Sequence, residues 1–268
     1  MTGSDHPGNG VPADIRTDIA HPARVYDFWL GGKDNFAADR AAAEQVMQVM
    51  PEILDTVRGN RRFLVRAVRF LRDAGIRQFI DIGSGLPSSP NVHEVARADD
   101  TDARVVYVDN DPVVFLHAEA LMARNGATSV VRADLRDVEE VLSRAAELLD
   151  FTQPVGLLFV GCLHHIADPD DPAGVVARYL EALAPGSYLV ISHATDDLSP
   201  EKMRANSEVA ESSGAVLIPR GKDAILRMFN GRELVEPGLV LVSYWRPEGG
   251  DPGPNAERAW AYGGVAAV

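Results

Sequence analysis

Cysteine is almost missing from this chain. Of its 268 residues only Cys162 is a cysteine, which excludes both an internal disulfide framework and a zinc site built from several cysteines. Cys162 lies in an apolar run, where a buried and inert thiol is the expected role. A cysteine nucleophile is the alternative interpretation.

Long apolar runs and excess positive charge are missing as well. No apolar run reaches the ~18 residues of a membrane-spanning helix, and the N-terminal segment lacks the apolar region of a signal peptide. The formal net charge of −13 disfavours extended contact with nucleic acid or anionic lipid. We therefore expect a cytoplasmic protein with a small-molecule substrate, no nucleic-acid partner and no membrane partner.

Helical patterns fill the first quarter of the chain. Residues 1–20 are rich in Gly, Pro and Asp, and they are predicted to form a flexible tail. Residues 21–75 contain three stretches with apolar side chains at helical spacing. These stretches predict an N-terminal helical cap, which forms one structural unit with the rest of the chain because it has no core of its own.

An aromatic segment, residues 21–36, begins this cap. One interpretation is a short helix that packs on the core of the protein. The other is a segment that closes a ligand pocket, with Tyr26, Lys33 or Asn35 reaching into that pocket.

Apolar strands and amphipathic helices alternate after residue 75. The predicted strands are residues 77–83, 103–111, 128–137, 154–166 and 186–195, each followed by a helix. Residues 232–247 add two strands around Glu236-Pro237-Gly238, which are predicted to form a terminal antiparallel hairpin. The pattern predicts an α/β domain over residues 76–268, with a doubly wound, mostly parallel seven-stranded sheet and helices on both faces.

Aspartates end three successive predicted strands: Asp81, Asp109 and Asp134. Ligands of open parallel sheets bind at the carboxyl ends of the strands. The turn Gly83-Ser84-Gly85 follows the first acid, and its glycines let backbone N–H groups approach a ligand closely. Asp109 is placed to accept hydrogen bonds from the hydroxyls of a ribose. Asp134 is placed to accept a hydrogen bond from an exocyclic adenine amine. Each acid alone is equally well explained as a solvated strand end, but together they describe an adenosine site.

A third glycine is missing from the turn. A dinucleotide site requires Gly-x-Gly-x-x-Gly, whereas Leu86-Pro87 follow Gly85 here. Asp81 would repel a pyrophosphate but suits a ligand that carries an amine or a sulfonium. Both observations favour S-adenosyl-L-methionine as the cofactor, and a nicotinamide-dependent oxidoreductase is the alternative that they disfavour.

Four segments resemble a known family. They are ARVYDFWLGGKDNF at 23–36, FIDIGSGLP at 79–87, VYVDNDP at 106–112 and LVEPG at 234–238. With them, the chain from about residue 20 to 247 resembles the class I S-adenosylmethionine-dependent methyltransferases. More narrowly, it resembles the actinobacterial S-adenosyl methyltransferase family formerly of unknown function.

The resemblance implies the residues that bind the cofactor. It assigns the methionine part to Asp81, Gly83, Ser84 and Gly85, the ribose to Asp109, and the adenine to Asn110, Asp134 and Leu135. It also implies that Gly161 passes near the sulfonium and that the region from Tyr26 to Asn35 closes the pocket. Within the narrower family, Leu86-Pro87 in place of the third glycine is normal.

Histidines near the predicted site are the candidates for a general base. His164 and His165 follow the fourth predicted strand, and His193 ends the fifth. A base is needed only if the acceptor must lose a proton, and histidine titrates near neutral pH. The alternative is that each histidine is bonded to backbone. No metal is expected, and a protein that binds S-adenosylmethionine without catalysis is the second functional hypothesis.

Overall fold

One mixed sheet organises the part of the chain that the structure, a computed structural model, describes: residues 15–98, 102–122 and 126–268. Its strands are β1 (Gln78–Ile82), β2 (Arg104–Asp109), β3 (Thr128–Arg132), β4 (Gly156–Val160), β5 (Tyr188–Ala194), β6 (Val240–Leu241) and β7 (Ala261–Ala267). They lie in the order β3-β2-β1-β4-β5-β7-β6. The first five are parallel and β7 runs antiparallel to both of its neighbours. The predicted doubly wound, mostly parallel sheet is confirmed.

Helices cover both faces of the sheet. They are α1 (Pro22–Trp29), α2 (Ala37–Val49), α3 (Ile53–Asp73), α4 (Val92–Ala96), α5 (Pro112–Met122), α6 (Val138–Ala145), α7 (Pro172–Glu181), α8 (Pro200–Ser212) and α9 (Lys222–Arg227). None of the helices among the described residues is long and apolar enough to cross a membrane.

Alternation along β1 assigns its side chains to two cores. Ile80 and Ile82 lie in the core formed with α6 and α7, whereas Phe79 lies in the core formed with α3 and α4. Because successive side chains of a strand point to opposite faces, Asp81 belongs to the face covered by α3. The same alternation places Asp109 of β2 on the face of Tyr107, which is also in the core with α3.

The apolar stripe of α3 joins the predicted cap to the sheet. Phe63, Leu64 and Leu71 are buried in the same core as strand residues, and the ring of Phe63 meets Trp245 edge-on at 5.4 Å. A Cβ atom at Gly263 would lie 2.9 Å from the ring of Phe63, so only glycine allows this approach. We therefore interpret residues 21–75 as a cap that is continuous with the core of the sheet.

The C-terminal antiparallel pair is present, but the placement of its strands was predicted wrongly. Val240 and Leu241 pair with Gly263 and Tyr262 of β7, and Leu234 makes a single bridge with Ala266. Both predicted strands of 232–247 therefore contact the last strand rather than each other. The sequence of β7 hides it, because small residues and two glycines have low strand propensity. A Cβ atom at Gly263 would meet Phe63 of α3, and one at Gly264 would meet Phe229 on the opposite face.

A buried charge network ties the cap to the end of β2. Arg24 is 4% exposed and lies between Asp39 and Asp111, with Nε at 3.5 Å and 3.3 Å from their carboxylates. Asp39 accepts a hydrogen bond from the backbone N–H of His21, and the ring of His21 lies 2.9 Å from Asp111. Asp111 in turn accepts from Val113 N in the first turn of α5. The network fixes α1 and α2 against the loop that follows β2.

Replacing Arg24 by Met tests this network. The variant keeps an apolar stem but leaves Asp39 and Asp111 buried without their cation, and removal of one partner of a buried ion pair costs roughly 3–5 kcal/mol. We expect the free energy of unfolding, measured by urea denaturation, to fall by about 3 kcal/mol. The control is Arg144→Met, because Arg144 pairs with Glu147 on the exposed surface, where a change below ~0.5 kcal/mol is expected. Equal losses in the two variants would contradict the network.

Candidate active site

A cavity of about 610 Å³ lies at the carboxyl ends of the parallel strands. Its floor is formed by the loops after β1, β2, β3 and β4, and its walls by α1, α2, α3 and α8. The volume is in the range of small-molecule sites, ~300–1,000 Å³. The cap therefore covers the edge of the sheet where the sequence predicts a ligand.

Most of the predicted site residues line this cavity. They are Tyr26, Asp81, Gly83, Ser84, Gly85, Asp109, Asn110, Asp134, Leu135, Gly161, His164, His165 and His193. Asn35 is not among the lining residues, and here the structure corrects the prediction. The side-chain amide of Asn35 donates to Asp27 Oδ2 at 2.8 Å and to the carbonyl of Gly32 at 3.2 Å, so it fixes the end of α1. Lys33 is exposed and does not line the cavity either.

The glycine turn is wedged between β2 and the loop after β4. Gly83 has a φ of +67°, and a Cβ atom there would lie 2.5 Å from Cβ of Cys162. The backbone N–H groups of Gly83 and Ser84 both donate to the carbonyl of Val108. Glycine is required at position 83 both for its conformation and for this contact.

Cys162 itself is buried behind the turn. Burial raises the pKa of its thiol, and the nearby carboxylates of Asp81 and Asp109 raise it further. The thiolate is the nucleophilic form of cysteine, so these surroundings favour the inert thiol over a nucleophile.

Asp81 is a buried carboxylate that faces the cavity. It is 4% exposed, and no hydrogen bond with another described residue engages its side chain. Burial raises the pKa of Asp81 from its usual value of 3.8 to about 7, with the positive charge of Arg61 opposing the rise and Asp109 adding to it. The carboxylate is therefore suited to a cationic group of a ligand.

Asp109 holds the glycine turn from the neighbouring strand. Its Oδ2 accepts from Gly85 N at 2.8 Å, and its Oδ1 accepts from Asp111 N at 3.0 Å. Burial raises the pKa of Asp109, although these two N–H groups favour the charged form. A carboxylate oxygen accepts more than one hydrogen bond, so both oxygens can still receive hydroxyl groups.

Asp134 has a partner that sequence reasoning missed. Arg136 donates from Nη2 to Asp134 Oδ2 at 2.7 Å and also pairs with Asp170. The hydrogen bond from Arg136 lowers the pKa of Asp134. Asp134 therefore lies at the cavity wall as a charged acid, and each of its two oxygens already accepts a hydrogen bond from Arg136.

Asn60 and Arg61 on α3 are lining residues that sequence reasoning also missed. Asn60 Nδ2 donates to Tyr26 Oη at 3.1 Å, and its Oδ1 accepts from Ser192 Oγ at 2.5 Å. A signal for Asn60 was present, because a polar residue three positions before Phe63 interrupts the apolar stripe. Arg61 carried no such signal.

Arg61 presents an unused donor. Its Nη2 donates to the carbonyls of Ser88 and Pro90. Its Nε is buried and has no hydrogen-bond partner among the described residues. A buried donor without a partner costs ~1–3 kcal/mol, which a ligand oxygen at this position would recover.

Comparison with known protein families matches residues 9–268 to the family described as S-adenosyl methyltransferase. The chain belongs to this family. A DUF574 family protein from Streptomyces avermitilis is 39% identical with a TM-score of 0.89, over 94% of this chain and 98% of that one. A protein from Thermobifida fusca, provisionally named a methyltransferase, is 41% identical with a TM-score of 0.88, over 96% and 97% of the two chains. Comparison with curated proteins gives no match.

The enzyme is thus an S-adenosylmethionine-dependent methyltransferase, and the predicted family and cofactor are confirmed. The chemistry of the cavity fits this cofactor. S-adenosylmethionine carries an ammonium, a carboxylate and a sulfonium at one end. Among the described residues, neither the carboxylate of Asp81 nor Nε of Arg61 has a hydrogen-bond partner, and the turn beside them has no side chains at Gly83 and Gly85.

His193 is a structural histidine in this methyltransferase. It is fully buried, with Nδ1 at 2.7 Å from the carbonyl of Ala194 and Nε2 at 3.0 Å from Nη1 of Arg220. Because a carbonyl only accepts and a guanidinium only donates, Nδ1 carries the proton and Nε2 is occupied. Burial lowers the pKa of His193 to about 3. We therefore do not propose His193 as a base.

The buried state of Asp81 predicts a pH-dependent stability. Its pKa in the folded enzyme, about 7, exceeds the unfolded value of 3.8, so the proton it holds stabilises the fold at low pH, and this contribution is lost as the pH rises through about 7. Asp81→Asn removes the effect. At ~1.4 kcal/mol per pKa unit, the variant should gain about 3 kcal/mol over wild type between pH 5 and pH 8, measured by urea denaturation at both pH values. If the difference in unfolding free energy between the variant and wild type were the same at both pH values, the raised pKa of Asp81 would be contradicted.

Proposed function

We propose that this enzyme transfers the methyl group of S-adenosylmethionine to a small-molecule acceptor bound in the same cavity. The observation that carries the proposal is the continuity of the cavity, which extends from Asp81 and Asp109 to an apolar chamber beneath α1, α2 and α8. A covered chamber of this size favours a small molecule over a polymer. The net charge of −13 also disfavours nucleic acid.

We assign the amino-acid end of the cofactor to Asp81 and Arg61. Asp81 would accept from the ammonium, and Arg61 Nε would donate to the carboxylate. Gly83 to Gly85 would contribute a surface of backbone, and Gly161, against which Asn60 Nδ2 is packed, would lie near the sulfonium. Tyr26, held by Asn60 and by the carbonyl of Val57, would cover this end.

We assign the adenosine end to the loops after β2 and β3. Asp109 would accept the ribose hydroxyls, and Asn110, Asp134 and Leu135 would surround the adenine. Bound there, the cofactor supplies an electrophilic methyl group. The chain contributes alignment and exclusion of water, because the cap covers the cavity.

The ribose assignment is tested by Asp109→Ala. Loss of charge-assisted hydrogen bonds to two hydroxyls should weaken the binding of S-adenosylhomocysteine at least tenfold, or ~1.4 kcal/mol, in isothermal titration calorimetry. Circular dichroism establishes that the variant is folded. Unchanged affinity in a folded variant would refute the assignment.

Arg61→Met tests the amino-acid end separately. We expect S-adenosylhomocysteine to bind about tenfold more weakly or worse, because the variant loses the donor to its carboxylate. The binding of 5′-methylthioadenosine, which lacks the amino-acid end, should change less than about twofold. The control is Arg62→Met, since Arg62 is exposed beside it on α3. Equal losses for both ligands would mean that Arg61 acts only through the loop at Ser88 and Pro90.

A further inference from the structure

The chamber beyond the cofactor residues is apolar. The residues that α2 and its C-cap contribute to the cavity are Ala42, Val46 and Met50, and α8 contributes Met203, Val209 and Ala210 together with one polar residue, Asn206. Neither helix places a charged side chain in the lining. Burial of an unpaired charge is costly, so this chamber favours an uncharged and largely apolar occupant.

His165 presents a free proton acceptor in this cavity. Its Nδ1 lies 2.6 Å from the carbonyl of Val216, and because a carbonyl only accepts, Nδ1 carries the proton of the neutral ring. Nε2 then carries a lone pair and has no hydrogen-bond partner among the described residues. Burial lowers the pKa of His165, so the neutral form is the one present at neutral pH.

His164 has the opposite arrangement. Its Nδ1 accepts from the backbone N–H of Ala194 at 3.3 Å, so the neutral ring carries its proton on Nε2. Burial lowers the pKa of His164 as well, and the neighbouring His165, His193 and Arg220 lower it further. The ring centres of His164 and His165 are 4.4 Å apart. The pair therefore offers one donor and one acceptor side by side at the cavity wall.

A hydroxyl group is complementary to this pair, because it both donates and accepts. A protonated amine would oppose the N–H of His164, and a carboxylate would leave the lone pair of His165 without a donor. The inference about the acceptor rests on the proposed function. We propose that the acceptor is an uncharged, largely apolar molecule bearing a hydroxyl group, that His164 and His165 hold this hydroxyl, and that the product is a methyl ether.

In this reaction the hydroxyl oxygen gives its proton to Nε2 of His165 and bonds to the methyl carbon, while the carbon–sulfur bond breaks and its electron pair stays on sulfur. The carbonyl of Val216 stabilises the imidazolium that forms on His165. The proton then leaves His165 for solvent, which restores the neutral ring. General-base assistance of this kind contributes about a hundredfold or more to a rate.

Three naphthalene probes test the acceptor class: 2-naphthol, 2-naphthylmethylamine and 2-naphthoate. They share one apolar body and differ in carrying a hydroxyl, an ammonium and a carboxylate. With enzyme saturated by S-adenosylhomocysteine, fluorescence titration should show 2-naphthol binding at least tenfold more tightly than either charged probe. A charged probe that binds as tightly, or no binding of 2-naphthol, would overturn the proposal.

His165→Asn tests the base. An asparagine amide can keep the hydrogen bond to Val216 while removing Nε2, and we expect 2-naphthol to bind about fivefold more weakly or worse. Formation of 2-methoxynaphthalene, followed by mass spectrometry with S-adenosylmethionine, should fall about a hundredfold or more. The control is His117→Asn, because His117 is a half-buried histidine of α5 that does not line the cavity. Unchanged binding and methylation in His165→Asn would refute the role of His165.

S-adenosylhomocysteine affinity separates the two levels of the proposal. His165→Asn should bind this ligand within about twofold of wild type, which also establishes that the variant is folded. If wild-type enzyme failed to bind S-adenosylhomocysteine, the proposed function itself would fail. If it bound this ligand but not 2-naphthol, only the acceptor class would fail.

Discussion

Gly83 lies so close to Cys162 that no side chain can stand between them, and the active-site edge of the sheet depends on this contact. A Cβ atom at Gly83 would approach the cysteine to 2.5 Å. The same turn is bonded to Val108 at the end of β2, and its last residue, Gly85, is bonded to Asp109. Three strand ends are thereby fixed to one another, and the cavity floor takes its shape from them.

Two side chains beside this turn are held in states that lower the stability of the ligand-free protein. Asp81 is buried without a hydrogen-bond partner among the described residues, and Arg61 Nε is a buried donor likewise without one. Such costs are found where ligands bind, because the ligand restores the missing interactions. The acid and the guanidinium are complementary to the two ends of an amino acid, which is the part of S-adenosylmethionine that we assign to them.

We interpret the cap as one structural unit with the sheet rather than as a separate lid. Its longest helix, α3, packs its apolar stripe on the sheet and carries Asn60 and Arg61 into the cavity. Its first helix, α1, is held by the buried contact of Arg24 with Asp39 and Asp111. A single packing arrangement therefore sets the core, the residues that we assign to the cofactor and the walls of the chamber that we assign to the acceptor.

Local pattern alone determined much of this protein. Strand and helix periodicity predicted the order of the elements, because this signal is carried by neighbours in sequence. Strand-end acids beside a glycine turn predicted an adenosine site in the same way, and that site stays a prediction. The same local view failed for β7, whose Gly263 lies beneath Phe63 and whose Gly264 lies against Phe229.

Tertiary structure decided the rest. It turned Asn35 toward Asp27, brought Arg61 from α3 to Asp81 and engaged both nitrogens of His193. It left Nε2 of His165 without a partner in the described part of the chain. Each of these features is a contact, or the lack of one at a polar atom, that depends on how separate segments of the chain pack. Residue type and spacing do not encode such contacts, since they arise only when the helices and the sheet pack together.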